Sequence, residues 1–264
     1  MYPFIDIGGH SIGTYGLCML TGLFLAGFFS YQKGKTNGLL MEDLFIIGAF
    51  ALGCAIICGG GMYIFVTYPI SQIIQFIQQR DFRFLSSGIV FYGGLIGGIL
   101  GAFLGIRIAK CPLTLVEHSV VPFIPLGHAI GRIGCVFAGC CHGFSYEGLF
   151  ALYYPHAVSG VSPNQGYFPV QPLEAILNIG ISLILLRLEK KCTKALSLLL
   201  SYLSMYAVCR FGLEFFRGDT IRGFWSGLST SQWISIILFL FCIVFFIVRR
   251  LCMSCQRHSD TMLP

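Results

Sequence analysis

The run Gly127-His128-Ala-Ile-Gly-Arg132-Ile-Gly-Cys135-Val-Phe-Ala-Gly-Cys140-Cys141-His142-Gly143 sets one guanidinium, two imidazoles and three thiols inside an otherwise greasy chain. A charge at membrane depth costs about 3 kcal/mol or more unless it is paired or reaches water. Arg132 therefore either snorkels to lipid headgroups or opens on a polar cavity. Its neighbours Gly131 and Gly134 are small and leave room for a cavity. The stretch reads as the end of a membrane span that closes on a functional site.

Working outward, the chain has 264 residues, of which 56% are hydrophobic and 11% charged. Soluble domains carry about 25% charged residues. Mean hydropathy is +0.80. The apolar runs have helix length, not the roughly ten-residue alternation of a barrel strand. The expected fold is an all-α integral membrane protein, a single domain over residues 1–264, with seven transmembrane helices and a small extracytoplasmic headpiece. The spans are predicted at about 14–31, 44–66, 88–109, 119–137, 171–187, 195–216 and 230–248, and the headpiece at about 138–170. Residues 1–13 are expected as a short lead-in segment on the membrane surface, without the basic region of a cleavable signal peptide. Residues 70–87 are too polar to cross. Ile70, Ile73, Ile74 and Ile77 fall at helical spacing, so the segment is either an interfacial amphipathic helix or a solvated connector. Pro122 and Pro125 are expected to break the fourth span.

Basic residues set the orientation. Lys33, Lys35, Arg107, Lys110, Arg187, Lys190, Lys191, Lys194, Arg249, Arg250 and Arg257 fall on one side, against Arg80, Arg83, Arg217 and Arg222 on the other. The positive-inside bias puts the N-terminus outside and the C-terminus in the cytoplasm. It also accounts for the net charge of +6. With no basic runs interleaved with aromatics, nucleic acid is not an expected partner.

Arg132 and Arg210 stand outside that tally, both within spans. Glu214 follows Arg210 by one helical turn and shares its face. The pair either neutralises itself, or leaves one arginine spare to bind a phosphate, whose oxygens the guanidinium fork matches. Phe91-Tyr92-Gly93-Gly94-Leu95-Ile96-Gly97-Gly98 is a glycine-rich run that allows close approach of a helix or a ligand. Tyr92, and Tyr15 near the outer face, are candidate site phenols. Most cysteines lie in apolar runs, where a thiol is a small hydrophobe. Cys135, Cys140, Cys141 and His142 are different: they can serve as a thiol or redox group, form a disulfide, or ligate a metal. Their spacing is not a standard zinc pattern, so the expected site has no metal and no cofactor. Cys252-x-x-Cys255 with His258 reads as an incidental tail.

Several runs in order carry a resemblance: Tyr15-Gly16-Leu17, Phe91 to Gly97, Gly131-Arg132-Ile133-Gly134, Pro169 with Gln171 and Glu174, Tyr206 with Arg210 and Glu214-Phe215-Phe216-Arg217, and Ser229 with Gln232. Together they resemble the prolipoprotein diacylglyceryl transferase family over nearly the whole chain. The resemblance implies an enzyme of the bacterial cytoplasmic membrane. It would move the diacylglyceryl group of phosphatidylglycerol to the lipobox cysteine thiol in the signal-peptide region of a prolipoprotein, and glycerol phosphate would leave. Its expected partners are thus phosphatidylglycerol, the prolipoprotein and the bilayer. By carry-over, Arg132 and Arg210 are the essential arginines, with Tyr92 at the position of catalytic acid–base work. Tyr15, Tyr206, Glu214, Gly93, Gly94 and Gly143 shape the substrate site. The sequence departs from the family where His-Gly-Gly becomes Tyr92-Gly93-Gly94, where Cys135 replaces the signature asparagine, and where Cys140 replaces an acidic residue. These departures leave room for another thiol or lipid substrate, for cysteine redox chemistry, or for a non-enzymatic lipid or anion binder.

Overall fold

The computed structural model describes residues 2–79, 88, 90–157, 161–192, 194–218 and 224–260. Arg80, Arg83 and Arg222 of the charge tally lie outside the described residues, as do all of 80–87. Helices dominate: α1 (Thr14–Asn37), α2 (Met41–Thr67), α3 (Ile70–Gln78), α4 (Phe91–Ala109), α5 (Leu113–Val120), α6 (Ile124–Ala138), α7 (Val170–Leu188), α8 (Ser197–Glu214) and α9 (Thr230–Asp260). Among the described residues, five tracts are long and apolar enough to cross a membrane: α1, α2, the α5–α6 tract Leu113–Ala138, α7, and Thr230–Leu251 of α9. α4 is apolar over the shorter Gly93–Ala109. α8 is interrupted by Ser201, Ser204, Arg210 and Glu214, which lower its hydropathy.

Two short hairpins depart from an all-α reading. The lead-in segment is an antiparallel pair, β1 (Phe4–Ile7) and β2 (His10–Gly13). Its two-residue turn is Gly8-Gly9, both at positive φ, the conformation that tight hairpin turns require. The second pair, β3 (Phe224–Trp225) and β4 (Leu228–Ser229), turns at Ser226-Gly227, again both at positive φ. It feeds a capping box. The Ser229 Oγ accepts from the Gln232 N–H (3.2 Å), and the Gln232 Oε1 accepts from the Ser229 N–H (2.9 Å). Two otherwise orphaned donors at the start of α9 are thereby satisfied.

The chain divides into two compact units, residues 1–30 with 120–264, and residues 31–119. The smaller unit is organised by α2 against α4. Glycines at every fourth position of α4 face the α2 backbone. A Cβ at Gly93 would sit 2.6 Å from the Cys58 carbonyl oxygen, and one at Gly105 2.7 Å from the Ile47 Cα. At Gly97 and Gly101 it would overlap the carbonyl oxygens of Cys54 and Phe50. Without side chains between them the two backbones approach closely, the way small-residue stripes join helices in lipid. In the same unit α3 is a helix with no buried residue, and Ile70, Ile74 and Ile77 are exposed. Within 70–87 the structure shows a helix over Ile70–Gln78.

The larger unit has α6, α7 and α8 inside. About 44% of the α5–α6 and α7 spanning windows is buried, against 17% for α1 and α9, which marks the inner layer. Val121, Ile181, Leu185, Leu198 and Tyr202 form its apolar core. The fourth span breaks where its prolines stand: Val121–Phe123 is one turn of 3₁₀ helix, and α6 starts afresh with Pro125 in its first turn. The carbonyl of Pro122 at this break accepts the Ser182 hydroxyl from α7 (2.7 Å). The break thus becomes a joint between two inner helices.

Gly97→Val should lower the thermal unfolding midpoint in detergent, since overpacking a close contact costs about 1–3 kcal/mol. Gly98→Ala should leave it unchanged, because a Cβ there meets the Ala55 Cβ at 3.7 Å and the Ala51 carbonyl oxygen at 3.8 Å, both ordinary contacts.

Candidate active site

The polar centre lies among α6, α7 and α8. One turn separates His128 from Arg132 on α6, so both side chains leave the same face, and the Arg132 Nε donates to the His128 Nε2 (3.3 Å). That imidazole nitrogen therefore carries no proton. Glu174, on the second turn of α7, points at the same spot. Its Oε1 lies 2.9 Å from the Arg132 Nη2 and 3.7 Å from the His128 Nε2. Its Oε2 lies 3.9 Å from the Arg210 Nη1. On α8, the Arg210 Nη2 pairs with the Glu214 Oε2 at 2.9 Å and reaches the Ser231 hydroxyl of α9 at 3.3 Å. The Tyr206 ring, one turn before Arg210, tilts against the His128 ring (5.3 Å).

These groups are largely withdrawn from solvent: side-chain exposure is 2% for Glu174, 4% for Glu214, 11% for Arg210 and 14% for Arg132. Two carboxylates match two guanidiniums, so the cluster is close to neutral within itself. Such an arrangement is tolerable only when the partners stay together. The sequence left open either a self-neutralised Arg210–Glu214 pair or one spare arginine. In the structure each has a carboxylate, and what is spare is a single donor group: the buried Arg210 Nη1 makes no hydrogen bond among the described residues.

Beyond α6 the chain turns back on itself. Gly139 caps the helix at positive φ and the Cys140 N–H returns to the Cys135 carbonyl (3.2 Å). Cys141 also takes a left-handed φ of 57°, a strained choice for a residue with a Cβ. The outcome is that the sulfurs of Cys135, Cys140 and Cys141 all lie within 4.8 Å of one another, none in a disulfide. Hydrogen bonds from the Cys135 and Cys140 thiols hold the Cys141 thiol well below the usual range. The charges of Arg217 and Arg132 push the same way, while burial opposes. Gln171 props this turn: its Nε2 donates to the Cys140 carbonyl and to the Tyr154 hydroxyl, each at 2.9 Å. Burial pushes the Tyr154 phenol up to about 12, although its bond to Gln171 works against that. His142 takes no part in the sulfur cluster. Its Nδ1 lies 2.9 Å from the Gly143 carbonyl and its ring packs edge-on to Tyr167.

A model of the family described as prolipoprotein diacylglyceryl transferase matches residues 3–248. The chain belongs to this family. A Clostridium perfringens protein named phosphatidylglycerol–prolipoprotein diacylglyceryl transferase 2 is 30% identical over 246 residues, covering 93% of this chain and 94% of the relative. Proteins of the same name without the number are 31% identical over 252 residues in Streptococcus uberis and 29% identical over 248 in Clostridium tetani. The match covers 93% of this chain in both, and 94% and 96% of those relatives.

Within this family member, the remaining sequence-derived residues scatter more than the arginines do. Tyr15 opens α1 and remains 44% exposed. It is held beside α6 because Gly134 has only a hydrogen where α1 crosses; a Cβ there would meet the Cys18 Cβ at 2.9 Å. Gly143 serves a backbone crossing. It bridges Arg217, a Cβ there would overlap the Phe168 carbonyl, and the Gly218 N–H donates to the His142 carbonyl (3.1 Å). Gly93 is taken up by packing against α2, and Tyr92 and Gly94 stand beside it in the first turn of α4. The sequence did not single out Glu174 or His128 as site residues. The signal was present in both: a carboxylate inside a predicted span, and an imidazole exactly one turn ahead of the arginine.

Removing one partner of a buried ion pair costs about 3–5 kcal/mol, whereas replacing both with apolar groups costs far less. Arg132→Met and Glu174→Met should each lower the unfolding midpoint in detergent strongly, and the double variant should recover most of the loss. Additive single effects would show that the pair is not coupled.

Proposed function

We propose that this chain transfers the diacylglyceryl group of phosphatidylglycerol to the lipobox cysteine thiol of a prolipoprotein and releases glycerol phosphate. The observation that carries this reading is the buried Arg132–Glu174–Arg210–Glu214 cluster with one guanidinium donor left unmade. Membership of the family supports it, and the named relatives share most of their length with this chain.

The chemistry follows from the charges. The acceptor thiol loses its proton and the thiolate attacks the glyceryl carbon. A C–S bond forms while the C–O bond to phosphorus breaks. The electron pair leaves with the phosphate oxygen, turning a singly charged diester into a monoester anion. Charge therefore builds on phosphate during the step, and donors aimed there count most in the transition state. Arg210 supplies the unbonded Nη1, and Arg132 supplies the second guanidinium. Glu174 and Glu214 hold both in place before substrate arrives. For the thiol proton, Tyr92 is the residue at the family's acid–base position, and His128 offers an imidazole nitrogen that already acts as an acceptor beside Arg132. Tyr15, Tyr206 and Gly143 shape the surroundings, and Gly93 and Gly94 follow Tyr92 in the family's pattern. An apolar groove of about 470 Å³, lined by Tyr146, Leu152, Phe168, Pro169, Leu173 and Ile176, is suited to an acyl chain.

The same reading places the chain in the bacterial cytoplasmic membrane with seven crossings. α4 and α8 supply the two beyond the long apolar tracts. The N-terminus is outside, and residues 138–170 form the outer headpiece.

Purified protein in phosphatidylglycerol micelles with a lipobox peptide should release glycerol phosphate. Arg132→Ala and Arg210→Ala should each cut turnover by about 100-fold or more, the scale of one lost transition-state donor. Binding of phosphatidylglycerol without release, while a family member is active in parallel, would leave only a lipid binder. Tyr92→Phe and His128→Asn, compared in kcat, identify the proton acceptor by which one falls.

A further inference from the structure

Three thiols in the pattern Cys-x4-Cys-Cys do not read as a zinc motif, because a continuing helix would carry Cys140 and Cys141 away from Cys135. The chain instead stops α6 at Gly139, reverses through two left-handed residues, and brings all three sulfurs within 4.8 Å of one another. Three thiolates around a tetrahedral zinc, each at about 2.3 Å, stand about 3.8 Å apart. The observed grouping is within about 1 Å of that arrangement.

We infer that Cys135, Cys140 and Cys141 form a binding site for one zinc ion whose fourth position takes the acceptor thiol. The identity of that fourth ligand rests on the transferase reading above; the three-sulfur site does not. Among the described residues no other His, Cys, Asp or Glu joins the group. Three protein ligands with one open position is the pattern of a catalytic zinc, where closed structural sites have four. The surroundings fit. Cys135 is buried on a helix, while Cys140 and Cys141 are half-buried in the turn and can close the last distance. Gln171, 1% exposed and bonded to the fully buried Tyr154 hydroxyl, holds the Cys140 carbonyl from behind, as outer-sphere groups do around metal ligands. Zinc with four thiolates carries two negative charges, and the Arg132 guanidinium stands one helical turn before Cys135 on α6.

A disulfide accounts for the cluster less well. Adjacent residues have Cα atoms about 3.8 Å apart, below the roughly 4.4 Å minimum for an unstrained bridge. A bond between Cys140 and Cys141 is therefore disfavoured, and one to Cys135 leaves the third thiol without a role. Zinc uses all three. It also supplies what the proposed reaction needs, because a thiol that coordinates zinc is deprotonated outright. In that step the acceptor S–H bond breaks, its proton passes to the acceptor named above, Tyr92 or His128, and a Zn–S bond forms. Attack on the glyceryl carbon then converts the thiolate to a thioether, a weak ligand that leaves the metal. No electrons are transferred to or from an external partner.

The test uses full-length protein, reduced and stripped of metal, carrying Cys252→Ser and Cys255→Ser so that the tail Cys-x-x-Cys does not bind. Titration with Co2+ should give an intense thiolate-to-metal charge-transfer band saturating at one equivalent, bleached by Zn2+. Cys135→Ser, Cys140→Ser or Cys141→Ser should each weaken binding by more than about 100-fold, beyond the loss of an outer-sphere partner. Cys111→Ser should not weaken it. Adding lipobox peptide should shift the band, and a Cys→Ser peptide should not. No band, or a band that survives Cys141→Ser, overturns the site. Full glycerol phosphate release by metal-free protein overturns the role in transfer while leaving the transferase reading intact. One bound Co2+ in a protein that releases no glycerol phosphate sinks the transferase reading and leaves the site standing.

Discussion

One carboxylate holds the inner helices to a single arrangement. Glu174 contributes Oε1 to α6 and Oε2 toward α8, so α7 sits between two guanidiniums that would otherwise repel each other. Four charged side chains at low dielectric are worth little to net stability, because desolvation offsets most of their attraction. Their effect is specificity. Any sliding of α6 against α7 leaves a buried charge alone, so the alternatives are removed. The bond from Arg132 to His128 and the bond from Arg210 to Ser231 extend the same restriction to the next turn and to α9.

Close backbone approach complements this charge lock. In lipid there is little hydrophobic drive between helices, and contact area must come from small residues. The α4 stripe does this in one unit of the chain, and Gly134 does it where α1 crosses α6 in the other. The broken fourth span adds a polar joint, since the Pro122 carbonyl at the break finds a hydroxyl on α7.

Much of this was legible in the sequence. Long apolar runs gave the helices, Pro122 and Pro125 the break, and Arg210 with Glu214 their shared face. The lead-in hairpin was missed although Gly8-Gly9 is the sequence sign of a tight turn. Ser229 and Gln232 stood out only as resemblance, yet their spacing spells a helix start. The central contact was harder to see. Glu174 is 42 residues from Arg132, and no spacing rule reports which helices become neighbours. The sulfur cluster was hidden for a related reason. Helical periodicity separates Cys135 from Cys140 and Cys141, and only the reversal at Gly139 and Cys141 unites them.

The capping box at Ser229 and Gln232 bears on tolerance to insertion. Residues added at the Ser226-Gly227 turn lengthen a hairpin and leave the helix phase alone. One residue added between Ser229 and Gln232 advances everything after it by about 100° around the α9 axis. The Ser231 hydroxyl would swing away from Arg210, and the apolar face of α9 would rotate off α8. The angular position of a whole membrane helix is thus set by two hydrogen bonds in its first turn, and a change of length is harmless on one side of them and not on the other.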